Sequence, residues 1–335
     1  MLWMLTLGIA WSGYGDPQDG LPTAAERELH LWTNAVRIDP VAFIDEYPCP
    51  FDNFEESEKS PKPPLAHSYG LNEAARFHSQ DMHDQGYFSD TSIDGTSFGD
   101  RVGRFYEGGY IGENIAMGYP TPYSVMIEGW MCSSGHRANI MLANYEELGA
   151  GIYNTYYTQN FGARGIDLAA NPIRMGAHSP FNPLGEVAMF ADWYDVYGDA
   201  PKRMELILNG DIVPMALEWG TPDMGVYRVD LSVEVGPCYT YWFRAKLAGG
   251  GVAVFPEDGA YGFGSCDWDD EATQWVKRGS IDVEESEDTI DPYYDADDGI
   301  LRDLPGPFAR VCGHTQAPAS GLVALVMLGL IRRRS

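Results

Sequence analysis

Gly112-Glu113-Asn114-Ile115-Ala116, then Trp130-Met131-Cys132-Ser133-Ser134-Gly135-His136-Arg137-Ala138-Asn139-Ile140, and finally Leu148-Gly149-Ala150-Gly151 form the stretch that decides how this chain is read. A glutamate and a histidine each sit in a short glycine-flanked segment. Each is therefore expected at a turn, presented to the mouth of a cleft. A carboxylate and an imidazole that converge in a cleft can share a proton or bind a cation. The plainer alternative is that Glu113 and His136 satisfy only each other and the nearby backbone.

The flanks carry local signals. Thr23-Ala24-Ala25-Glu26 fits a capping box, and Leu29, Trp32 and Val36 then recur at helical spacing up to Pro40. Asn34 and Arg37 on that helix read as structural tethers. Tyr47 to Pro64 is a proline-rich polar loop. Leu71 to Gln85 predicts a second amphipathic helix ended by Gly86, with His78 on its apolar face as a hydrogen-bonded core residue and His83 solvated. His67 falls in a loop with no partner visible in the sequence. Thr121-Pro122 is a cap followed by a first-turn proline, so a helix should run through Trp130 to about Cys132. Leu148–Tyr153 and Tyr156–Phe161 read as strands.

These blocks, in this order, resemble the CAP superfamily of cysteine-rich secretory, antigen-5 and pathogenesis-related-1 proteins, and in particular its bacterial branch. The resemblance covers about residues 23–165 and implies a CAP-type α-β-α sandwich, hence an α+β class. In that family a Phe-Ser-His segment places a second histidine in the central cavity. Here Phe88-Ser89 is followed by Asp90. Asp90, Glu113 and His136 therefore become the cleft residues, and a mixed set of oxygen and nitrogen ligands for a divalent cation, nearer to calcium or magnesium than to zinc. A charge-assisted Asp90–His136 hydrogen bond in a purely structural cavity is the alternative. Ser133 and Ser134 lie near His136, but there is no Gly-x-Ser-x-Gly elbow and no third orienting residue, so their hydroxyls are read as caps of the turn.

From Ala188 the texture changes to short apolar or alternating runs separated by Gly, Pro, Asn and Asp, with Asn209-Gly210 as a strong hairpin signal. Residues 188–266 are read as an all-β sandwich, and Pro237–Phe243 with Phe255–Gly259 resembles an immunoglobulin-like module. Tyr239, Tyr241 and Trp242 are candidates for stacking on sugars. Residues 267–305 form an acidic linker: between Asp267 and Asp303 there are fourteen acidic side chains against three basic ones.

A length of 335 residues suggests two domains, and 44% hydrophobic and 13% aromatic residues suffice for packed cores. The formal charge of -27 excludes a nucleic-acid partner on electrostatic grounds. Residues 1–15 read as an apolar signal segment without the usual basic start. Residues 312–335 read as a sorting tail: Cys312-Gly313, an apolar run too short for a comfortable span, and three closing arginines. It resembles the myxobacterial MYXO-CTERM tag. Transient membrane contact through that tail and residence at the cell surface or outer envelope follow. With Cys312 set aside, Cys49, Cys132, Cys238 and Cys266 remain. Cys238 with Cys266 falls within one domain, and Cys49 with Cys132 is the matching pair, though four cysteines allow three connectivities.

The functional expectation is an exported CAP-domain protein that binds a small ligand, a lipid or a cation, or a cell-envelope component. No cofactor is certain beyond that candidate cation. One alternative is a hydrolase using Glu113 and His136 as acid and base, which the missing first histidine weakens. Another is adhesion or carbohydrate binding through the β-sandwich.

Overall fold

The computed structural model describes residues 13–278. Of the expected signal segment only Gly13 to Gly15 fall inside that range. The expected acidic linker 267–305 is corrected at its start, since residues 267–278 fold with the β half and include the strand Trp275–Lys277; its remainder, the sorting site Cys312-Gly313 and its tail lie outside the described residues.

Helix α1 (Ala24–Ile38) begins at its capping box. Thr23 Oγ1 accepts from the Glu26 N–H, and the Glu26 carboxylate accepts from the Thr23 N–H (2.9 Å). Strand β1 (Ala66–His67) leads into α2 (Tyr69–Gln85), which stops at Gly86 in the left-handed conformation, φ 69°. The short α3 (Phe98–Val102) precedes β2 (Tyr110–Met117). Helix α4 (Pro122–Ser124) carries a Thr121 capping box and runs on into a π-helical turn, Val125–Trp130, before α5 (Ser134–Ile140). The hairpin β3 (Glu147–Tyr153) and β4 (Tyr156–Ala163) completes the first half.

These strands form one sheet in the order β1-β3-β4-β2. Helix α2 lies on one face, and α1 and α5 pack from the other side. The approach of α2 needs two glycines of β3. A Cβ at Gly149 would sit 2.0 Å from the backbone of Leu71 and Asn72, and one at Gly151 would sit 2.2 Å from that of Ala75 and Arg76. The Leu-Gly-Ala-Gly block is thus a docking groove for a helix.

The second half is antiparallel β. Its strands are β5 (Gly176–Ser179), β6 (Glu186–Tyr194), β7 (Arg203–Leu208), β8 (Asp211–Thr221), β9 (Met224–Ser232), β10 (Tyr239–Lys246), β11 (Val252–Phe255), β12 (Gly259–Phe263) and β13 (Trp275–Lys277). Asn209 and Gly210 both take positive φ, 51° and 93°, as the β7–β8 hairpin turn requires. Strand β8 serves two layers: Asp211–Met215 pairs with β7, and Ala216–Thr221 pairs with β9 across a bulge. The class is α+β, a CAP-type layered half followed by a β-sandwich, as expected. Both anticipated disulfides are present, Cys49–Cys132 and Cys238–Cys266.

The two halves share a core, and α1 is its centre. Every residue of α1 except Ala25 is buried, although a stripe of apolar residues was all its sequence promised. One side faces β3 and the other faces β5, β6, β8 and β9. Trp32 meets Phe43, Tyr123, Phe190 and Trp219 edge-on or tilted. Several polar side chains of α1 find partners across the junction. Asn34 Nδ2 donates to the Asp192 carboxylate (2.6 Å), Glu28 accepts from the Ser179 hydroxyl (2.6 Å) and the Phe181 N–H (2.9 Å), and Arg27 donates to the Thr273 carbonyl (2.7 Å). Buried polar groups survive only when bonded, and here the bonds come from the β half.

The expected sugar-stacking aromatics are corrected by this packing. Tyr241 is fully buried in the shared core, and Trp242 is buried on the other face of its strand beneath the Arg278 guanidinium, 4.2 Å away. Tyr239 stacks on Phe263 at 5.1 Å. Tyr241 and Trp242 have no free face for a sugar ring.

Candidate functional site

An open cleft of about 570 Å³ runs along strand β2. One wall is Phe88-Ser89-Asp90, in the loop that follows α2. The floor is Ile115 to Met117, and the far wall is Tyr119, Gly129, Trp130, Ser133 and His136. β2 is the last strand of its sheet, and its exposed carbonyls are covered by side chains. Trp130 Nε1 donates to the Ile115 carbonyl and Asn139 Nδ2 to the Glu113 carbonyl, both at 3.1 Å.

His136 is held from several sides through α5. Asn114 Nδ2 donates to the His136 carbonyl (3.1 Å), and Asn139 Nδ2 donates to Asn114 Oδ1 (3.0 Å). Asn114 also donates to Gln159, which donates to Thr33 on α1. Arg137 points the other way, to Glu58 (2.9 Å), to the Met131 and Asn53 carbonyls, and over the Phe54 ring at 3.9 Å. The Cys49–Cys132 bond staples the same loop to the residue before Ser133. The His-Arg-x-Asn block is therefore mostly a clamp. Asn34 and Arg37 tether in the same sense, to both backbone groups of Leu65 and to the Pro63, Ile140 and Leu142 carbonyls.

Glu113 departs from expectation. It lies within strand β2, on the face towards α2, and its side chain is 3% exposed. Arg101 Nη2 donates to it at 2.6 Å, and His78 Nε2 stands 3.9 Å away. With the Asn160 amide oriented to satisfy its neighbours, its nitrogen donates to Glu113 Oε2 and its oxygen accepts from the Ala75 N–H, each at 3.0 Å. Arg101 also donates to the Asp90 carbonyl (3.0 Å) and to Ser92 Oγ (3.1 Å). One guanidinium thus ties the Asp90 loop to β2.

Burial pushes Glu113 up to about 7, against the pull of Arg101. Burial, helped by Arg101, holds His78 down to about 4. Burial also lowers His136 from the usual imidazole range, with the Asp90 carboxylate opposing.

The structure brings Asp90 and His136 to one cleft and leaves Glu113 behind its wall. Glu113 meets a guanidinium instead, so the expected Asp90–Glu113–His136 cation site is not assembled. Among the described residues no three His, Cys, Asp or Glu side chains are grouped to hold a metal ion. Ser133 lines the cleft beside His136, but its side chain makes no capping bond to α5, contrary to the cap expected of it. Arg101 and His78 are the site residues that sequence reasoning missed. The reading of His78 as a bonded core residue was close, since its Nε2 pairs with the Ser89 carbonyl at 3.1 Å. Nothing in its spacing announced Glu113 as neighbour.

Residues 33–163 match the family model of the cysteine-rich secretory protein family, CAP. Those residues are a CAP domain. The match spans about two-fifths of the chain. Two Bacillus subtilis (strain 168) proteins are similar to it: the membrane protein YlbC, 40% identical over 94 residues, and YkwD, 38% identical over 111. The alignments cover 27% and 32% of this chain, but only 26% and 42% of the lengths of those relatives. Among solved structures, an extracellular SCP-domain protein of Bacillus anthracis str. Ames is 37% identical, with 31% of this chain and 35% of that one covered, at a TM-score of 0.30.

Proposed function

We propose that this is an exported protein whose CAP domain binds a small, partly apolar ligand without chemically altering it. The cleft carries the reading: hydrophobic Ile115, Met117, Phe88 and Tyr119 stand beside unpaired polar groups on Asp90, Ser133 and His136. An apolar pocket with a few convergent polar groups is the usual form of a small-molecule site. Catalysis is disfavoured because Glu113 is sealed against Arg101, outside the cleft lining. Among the described residues no side chain bonds the His136 ring to orient it as a general base. Two disulfides support an oxidising compartment. Attachment at the cell surface through the Cys312-Gly313 tail belongs to the same proposal.

Native mass spectrometry of the protein purified from its own cells, beside a His136→Ala variant, tests the reading. A co-purifying mass lost in the variant is expected. A ligand retained equally by both would place binding elsewhere.

A further inference from the structure

The polar complement of the cleft is one-sided. Among the described residues its lining contains one carboxylate, on Asp90, three hydroxyls, on Ser89, Ser133 and Tyr119, the His136 imidazole, and no cationic side chain. Burial lowers the proton affinity of His136, with the Asp90 carboxylate opposing. The nearest guanidinium, Arg101, is fully buried, commits Nη2 to Glu113, and reaches Asp90 only at its backbone carbonyl. The Asp90 carboxylate makes no hydrogen bond or salt bridge among the described residues. Asp90 itself is exposed.

Around that carboxylate the walls are aromatic. Phe88 is 47% exposed at the mouth and the half-buried Tyr119 stands opposite, while Trp130 reaches the lining with only 1% of its surface exposed. Trp130 is fixed through its Nε1 bond to the Ile115 carbonyl. A carboxylate beside aromatic rings is the chemistry that recognises an organic ammonium. An anionic head would be repelled by the Asp90 carboxylate, in a chain whose formal charge is -27. A bare metal ion would find a single carboxylate where calcium or magnesium needs several oxygen ligands.

Resting on the reading of the cleft as a ligand site, we propose that it selects an organic amine. The ammonium head sits at Asp90 against the aromatic wall, and the apolar body lies along Ile115 and Met117.

Isothermal titration of the full chain near neutral pH compares three probes that share one apolar body: octyltrimethylammonium, octanol and octanoate. The expected result is that the ammonium binds roughly tenfold tighter than the alcohol, the combined scale of an exposed ion pair and one cation–π contact. Octanoate should bind weakest. Asp90→Asn should bring ammonium and alcohol within about twofold, and Asp90→Glu should restore the preference. Because Asp90 is exposed, neither change threatens the fold. An ammonium preference under about threefold, or one that survives Asp90→Asn, overturns amine selection while alcohol binding leaves the cleft reading intact. Failure of all three probes to bind overturns both.

Discussion

Removing Glu113 and Arg101 singly and together tests whether the group behind the cleft acts as one unit. The two side chains meet at 2.6 Å with 3% and 0% of their surface exposed. At an effective dielectric constant of about 20, unit charges at that separation attract by about 6 kcal/mol before desolvation is subtracted. Removing one partner of such a buried pair costs about 3–5 kcal/mol, because the other charge is left stranded. Glu113→Gln retains an acceptor for Arg101 and, above the Glu113 value of about 7 where the buried carboxylate no longer adds stability, should cost at most about 1 kcal/mol. Arg101→Met also loses the bonds to the Asp90 carbonyl and Ser92 Oγ and should cost about 5 kcal/mol. If the pair is a unit, the double variant, which no longer strands a carboxylate, should lose about 3 kcal/mol, not 6, which leaves a coupling of about 3 kcal/mol. Urea unfolding of the oxidised full chain at about pH 8, above the Glu113 value of about 7, measures it. Coupling below about 0.5 kcal/mol, the range of independent sites, would refute the reasoning. Hydrogen exchange supplies a second check: residues 88–92 should lose protection in Arg101→Met and keep it in Glu113→Gln.

The same group makes stability depend on pH with two opposed signs. Glu113 is raised from 4.5 to about 7, so its contribution is full below about pH 4.5 and lost as pH rises through about 7. His78 is lowered from 6.5 to about 4, so its contribution is full above about pH 6.5 and lost as pH falls through about 4. The two slopes offset between those limits, so Glu113→Gln should make stability rise by about 2–3 kcal/mol more than in the wild type from about pH 4.5 to 6.5; an unchanged profile in that variant would contradict the assignment. Replacing Cys49 and Cys132 by Ala opens a loop of sequence separation 83 and should cost about 4–5 kcal/mol in urea. Trp32→Ala should cost about 3–5 kcal/mol, and calorimetry of both proteins should show one transition, since the helix that carries Trp32 belongs to both halves. Two separated transitions would mean independent domains.

Local chemistry was legible wherever a few neighbouring residues decide the outcome. The Thr23 and Thr121 caps, Gly86 at the end of α2 and the Asn209-Gly210 turn are such cases, each requiring one side chain or one positive φ. Glu113 was misplaced because its flanking glycine suggested a turn, whereas its cation arrives from α3 and its histidine from α2. Helix α1 misled for the same reason. The sequence around Glu28, Asn34 and Arg27 shows no reason for their burial, because partners of all three lie more than 140 residues further along the chain. Tyr241 and Trp242 alternate as a half-buried strand should, and only the packing on both faces of β10 shows that neither is free.

The burial of α1 also bears on the order in which the molecule can assemble. Arg27 finds the Thr273 carbonyl only 246 residues later. A ribosome adding about 5–20 residues per second needs on the order of 10–50 s to supply that partner. Until then the first helix carries polar groups with no acceptor inside a core, and its best state is solvated. A chain whose opening helix is completed by the turn at Thr273 is expected to finish folding late, and a chain not yet folded is in the condition needed to be threaded through an export channel. A truncated chain ending at residue 165 should accordingly fail to fold, and a cooperative unfolding transition in that fragment would show that the helix needs less help than its contacts imply.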